Sequence, residues 1–145
     1  MRAKIAVVLI AAAISSAPAW SEKPEMTARA LVENGIAAYK QADASAAIKA
    51  WIKGSALEGN AQALTQANNL RGIEDFYGKP VGVDIVMEYE AGPRVRVLYI
   101  TINYEKGAAF AKFQVYRVDS GEWVTTQFLF NTDATQIFPS CLFTT

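Results

Sequence analysis

The chain contains no histidine, so any chemistry it performs must come from carboxylates, tyrosines and one cysteine, Cys141. That absence removes Ser-His-Asp and Cys-His catalysis, imidazole metal ligation and the commonest general base. With one thiol and no cluster of acids, no zinc ligand set can be assembled. Neither a glycine-rich phosphate loop nor a dinucleotide fingerprint occurs, so no cofactor and no metal are expected. Asp84 and Glu88 are the acids placed on a strand, but four residues of extended chain separate them by roughly 13 Å. Glu74 and Asp75, near the end of a helix, read as solvated charges. Tyr89 and Tyr104 can supply hydroxyls at the rim of a core, with no acid expected beside them. No catalytic residue is therefore named. Cys141 has no internal partner and is expected to lie buried beside Phe138, Leu142 and Phe143.

These side chains are positioned by the stretch 81–130, which reads as four antiparallel strands. Gly92-Pro93, Lys106-Gly107 and Ser120-Gly121 separate runs rich in Val, Ile, Tyr, Phe and Thr, the pattern of tight hairpins. Three two-residue loops would set Met87 opposite Leu98, Ile85 opposite Ile100, Ile100 opposite Phe113, Leu98 opposite Val115 and Phe113 opposite Phe128. Side chains alternate along a strand, so one face collects Val83, Ile85, Met87, Leu98, Ile100, Ile102, Phe113, Val115, Val124, Phe128 and Phe130. Tyr89 and Tyr104 point the same way. The other face carries Asp84, Glu88, Phe110, Lys112 and Thr125 together with Tyr99, Gln114, Tyr116, Trp123 and Gln127. Those last five are the candidate interface, because Tyr and Trp offer large amphipathic area and recur at contacts. In a homodimer such a face would be self-complementary.

Ahead of the sheet, 27–77 reads as three amphipathic helices that need an apolar surface to cover. Val32, Ile36 and Tyr39 recur at helical spacing in the first. Asp43 can cap the second, whose inward residues are Ala47, Ile48, Trp51 and Ile52. Asn60 can cap the third, with Leu70, Ile73 and Tyr77 on one stripe, and Gly78 followed by Pro80 stops it. Residues 1–19 have the form of a secretory signal: Arg2 and Lys4, an apolar run from Ile5 to Ile14, then Ala17-Pro18-Ala19. That run is too short to span a bilayer, which needs roughly 20 residues, and no second long one follows. The expectation is a bacterial periplasmic or secreted protein, 20–145 forming one domain with a tail at 132–145. Removing the signal takes two of 14 basic residues against 14 acidic ones, leaving a net charge of −2. Nucleic-acid binding, which needs a clustered basic surface, is not expected, nor is a membrane span after cleavage.

Gly35-Ile36-Ala37-Ala38-Tyr39, Asp43, Ala47, Trp51 and Gly59-Asn60-Ala61 resemble one unit of a Sel1 or tetratricopeptide repeat. No second copy appears, and a solenoid needs about three, so the segment reads as a helical hairpin. The fuller match runs from the helices through Phe76-Tyr77-Gly78-Lys79-Pro80 and Asn103-Tyr104-Glu105-Lys106-Gly107 to Gln127-Phe128-Leu129-Phe130-Asn131-Thr132. This order resembles the small secreted proteins of the NTF2-like (cystatin-like) superfamily. The resemblance implies an α+β cone, N-terminal helices packed on a curved four-stranded antiparallel meander. Its function is left open, since that fold hosts both enzymes and binders. A ketosteroid-isomerase arrangement would need acids buried in the cone beside a tyrosine, and the strand acids project the other way. The reading is an exported, non-catalytic binding or interaction module, self-associating through the outer sheet face or taking a small hydrophobic ligand or periplasmic protein. The alternative is a small-molecule isomerase or dehydratase using the cone.

Overall fold

The computed structural model describes residues 26–144, so the expected signal at 1–19 lies outside the described residues. Helices α1 (Ala28–Gln41), α2 (Ala44–Ile52) and α3 (Ala61–Tyr77) precede strands β1 (Pro80–Gly92), β2 (Val95–Tyr104), β3 (Gly107–Arg117) and β4 (Trp123–Asn131). The strands form one antiparallel meander in chain order, an open sheet with β1 and β4 at its edges. The fold is the expected α+β arrangement of helices packed on a curved four-stranded sheet. No helix among the described residues is long and apolar enough to cross a membrane.

Each helix starts where a side chain can accept a free amide. Thr27, Asp43 and Asn60 bond the amides of Ala30, Ala46 and Gln62 at 3.0, 2.8 and 2.8 Å, satisfying donors that helix geometry leaves unpaired. At the other end of α3, Gly78 takes φ 86°, the left-handed conformation that glycine tolerates. The helices deliver Val32, Ile36, Tyr39, Ala47, Trp51 and Leu70 onto Leu98, Ile100, Ile102, Phe113, Val115 and Phe128, all buried. Trp51 is the centre. Its ring lies 5.0 Å from Phe113 and 5.5 Å from Phe130, and its indole N–H donates to Val32 O at 2.9 Å. Gly35 makes room for it, since a Cβ there would collide with the indole.

The ladder departs from the expected register in each hairpin. Between β2 and β3 the loop is Glu105-Lys106, so Leu98 faces Phe113 and Ile100 faces Ala111, not Val115 and Phe113. The shift is by two residues, so alternation survives and every inward residue stays inward. Gly107 stands where Tyr77 crosses the strand, with no room for a Cβ, which moves the turn forward. Between β1 and β2 the loop is Pro93-Arg94, and irregularities follow at Ala91 and Val86. Ile85 meets Ile100 as expected, but beyond the bulge Met87 faces Tyr99 and Glu88 faces Leu98. The end of β1 is therefore inverted: Met87 and Tyr89 turn outward and Glu88 turns to the helix side.

Between β3 and β4, Val118 N–H reaches Glu122 O at 2.9 Å, closing a three-residue loop in which Gly121 has φ 89°. Val115 then faces Thr125, and the extra residue Thr126 restores the expected pairing of Phe113 with Phe128. Between loop and bulge, alternation is reversed. Trp123 and Thr125, expected outside, lie on the helix side, while Val124, expected inside, stands opposite Tyr116. Thr125 is fully buried, and its hydroxyl donates to Trp51 O at 2.6 Å. Replacing it by isosteric Val orphans that carbonyl. Thr125→Val is expected to cost about 1–3 kcal/mol in urea denaturation; a change within error would mean that the bond adds nothing.

The segment after β4 is more than a tail. Two short 3-10 turns, Ala134–Gln136 and Ser140–Leu142, lay Phe138 against Tyr99 and Phe110 on the outer face, with centroids 6.1 and 5.3 Å apart. Phe143 stacks on Phe138 in turn. Cys141 is exposed, contrary to expectation, because this packing uses the aromatic side chains and leaves the thiol outside.

Candidate functional site: the groove between α3 and β4

The five outer-face candidates do not form one surface. Tyr99 lies beneath Phe138. Tyr116 accepts a hydrogen bond from Arg94 at 3.3 Å, beside the Arg94–Asp119 pair at the end of the sheet. Trp123 is on the opposite face, under the Arg96 guanidinium at 5.4 Å. Gln114 and Gln127 remain together, directly opposite each other across β3 and β4.

The hydroxyl candidates separate too. Tyr89 is on the outer face and 58% exposed, so it is not at the rim of the cone. Tyr104 points inward as expected but is buried, its hydroxyl 3.3 Å from that of Tyr39, which donates to Leu70 O at 3.0 Å. Burial pushes the Tyr104 phenol up to about 12, helped by the negative charge of Glu74 and opposed by the bond to Tyr39. Burial, then the bond to Tyr104, pushes Tyr39 higher still. Glu74, expected as a solvated charge, is half-buried. The pair ties α1 to α3 and β2 as two neutral phenols.

Glu88 has turned to the helix side, where it meets Arg29 at 3.4 Å, and Arg96 meets Glu90 at 3.3 Å. Its β2 partner Leu98 is six residues from Tyr104, roughly 20 Å of strand. Glu88 therefore meets no phenol, but the half-buried Glu74 lies against the Tyr39–Tyr104 pair, contrary to the expectation that no acid stands beside these tyrosines. Among the described residues no group of three or more His, Cys, Asp or Glu could hold a metal ion.

Gln114 and Gln127 belong to a different feature. With Thr126, Phe128, Leu57 and Gln62 they line a hollow of about 290 Å³ between the start of α3 and the edge of β4. A second hollow, about 590 Å³, continues between the same two elements, lined on α3 by Asn68, Asn69, Gly72, Ile73, Phe76 and Tyr77 and on the strand side by Phe130, Asn131 and Thr132. On α3, Gln62, Gln66, Asn69, Ile73 and Phe76 recur at steps of four, three, four and three, so they share one flank. Gln66 falls between the two hollows in that series, and its Oε1 is buried without a hydrogen-bond partner. The side chains lining both hollows carry no formal charge. Among the described residues β4 pairs only with β3 and no other backbone group bonds to it. Its second row of amides and carbonyls is open, as at any sheet edge.

The α3 flank was not singled out from the sequence. The signal was present as amide side chains at helical spacing beside the apolar stripe of Leu70, Ile73 and Tyr77. Polar residues there read as solvated until the neighbouring strand edge is known. No protein-family model, curated protein or solved structure matches the chain.

Proposed function

We propose that this chain is an exported, non-catalytic binding module, NTF2-like in architecture, that holds its partner in the groove between α3 and β4. The observation that carries the reading is the open edge of β4, which borders two adjoining uncharged hollows. An unpaired strand edge is a template for association, and here it is set beside amide side chains able to donate and accept. The signal-like form of 1–19 supports export. A small-molecule isomerase in the cone is the weaker reading. Trp51, Tyr39, Phe113 and Phe128 occupy the space between helices and sheet; Glu74 lies against the Tyr39–Tyr104 pair, but both phenols are buried in that core and line neither hollow.

Gly72 supplies the test. It lines the larger hollow, and a Cβ there meets nothing within 4 Å. Gly72→Ala should stabilise α3 by about 0.5–1 kcal/mol and preserve binding, while Gly72→Trp fills the hollow with an indole. Parent and variants are screened against phage-displayed linear peptides, an oligosaccharide array and a fatty-acid panel. At least one ligand class should bind the parent and Gly72→Ala, and bind Gly72→Trp at least about tenfold more weakly. Ligands that bind all three proteins equally would place the site elsewhere and refute the groove.

A further inference from the structure

We infer that the groove takes an extended, uncharged polypeptide segment of a partner protein, added as a fifth strand alongside β4. This rests on the groove being the binding site and names what fills it. Three observations select a peptide backbone.

The first is dimension. β4 past its bulge, Gln127 to Asn131, is a regular edge of five residues, roughly 17 Å at about 3.4 Å each. Across the groove, α3 from Gln62 to Phe76 runs beside it for roughly 21 Å at about 1.5 Å per residue. The two walls match an extended segment of five or six residues.

The second is hydrogen bonding. One wall offers the alternating N–H and C=O row of a strand edge, which another strand complements at every second residue. The other wall offers side-chain amides, Gln62 and Asn69, which bond peptide groups in either sense.

The third is charge. The lining side chains are amides, Thr, Leu, Ile and aromatics, and a charged side chain buried against them would lack a partner. The bound segment is therefore uncharged where it faces α3. The bulge at Thr126 limits the edge to one short register, as bulges do at sheet edges.

The probe is a phage-displayed library of random linear decapeptides, selected on the whole folded chain, each hit then being compared on Gly72→Trp. Hits should be depleted of Asp, Glu, Lys and Arg over about five consecutive positions. Each hit is then resynthesised with N-methyl groups on alternate amides, in both phases. One phase should weaken binding at least about tenfold; the other should stay within about twofold, because successive amides of a strand point to opposite edges. Hydrogen exchange at 127–131 should slow when the hit binds. Hits weakened equally in both phases or in neither, or no hit above the Gly72→Trp background, overturn the inference. Oligosaccharide binding that Gly72→Trp abolishes, without peptide binding, keeps the groove and overturns the strand. A concentration-dependent dimer of the parent that Gly72→Trp abolishes assigns the edge to a second copy instead. Peptide hits that bind Gly72→Trp as well as the parent refute the groove itself.

Discussion

Replacing Trp51 by alanine should remove about 3–5 kcal/mol of folding stability, the usual range for a buried Trp→Ala change. A domain of this size is stable by about 5–15 kcal/mol, so the loss is a large fraction of the total. Three losses combine. The indole is fully buried, and its removal leaves a void between α1, α2 and the sheet. Val32 O loses its donor. The ring contacts with Phe113 and Phe130 disappear. Trp51→Phe keeps a ring but not the N–H, so it should fall between parent and alanine variant. Gly35→Ala tests the same contact from the other side, because its methyl group occupies the place of the indole. Urea denaturation read by far-UV dichroism measures all three. A loss under about 1 kcal/mol for Trp51→Ala would mean that the core is organised elsewhere.

The buried phenols make the fold sensitive to alkali. Tyr104 is raised from 10.0 to about 12 and Tyr39 is raised as well. In the unfolded chain both ionise near 10. Below that pH both states keep their protons and the contribution to stability is complete. Above it the unfolded chain releases protons that the folded chain retains, so stability falls as pH rises from 10 towards 12. Each phenol contributes a slope of about 1.4 kcal/mol per pH unit above the unfolded value, so Tyr104 alone accounts for a loss on the order of 2–3 kcal/mol across the window. Urea midpoints at pH 8, 10, 11 and 12 should decline in the parent. Tyr104→Phe starts lower, because Tyr39 loses a neighbour, but declines less steeply. Parallel curves for parent and variant would remove the phenols as the cause.

What could be read from the residues, and what could not, divides along a physical line. Features set by local chemistry were legible: the caps at Asp43 and Asn60, the stop at Gly78, and the inward stripes holding Val32, Ile36, Trp51 and Leu70. The order of strands and the burial of Leu98, Ile100 and Phe113 followed from alternation. The bulges at Val86 and Thr126 did not, because one extra residue in a strand leaves no mark in composition. They moved Met87, Tyr89, Val124, Trp123, Thr125 and Glu88 to faces opposite those expected. The groove was hidden for a related reason. Gln114 and Gln127 were singled out as outer-face residues, yet their neighbours on α3 depend on how the helix lies along the sheet edge. The segment 132–145 read as a short tail, and the packing of Phe138 on Tyr99 is a long-range contact of a few aromatic side chains.

The turn and the bulge beside β4 act on different residues. Removing one residue from the three-residue turn leaves Val118 and Glu122 opposed, so Trp123 and Thr125 keep the helix side. Removing Thr126 leaves Thr125 opposite Val115 and Phe128 opposite Phe113, and takes away only a residue that lines the smaller hollow. Length variation in the turn is thus insulated from the wall that borders the groove.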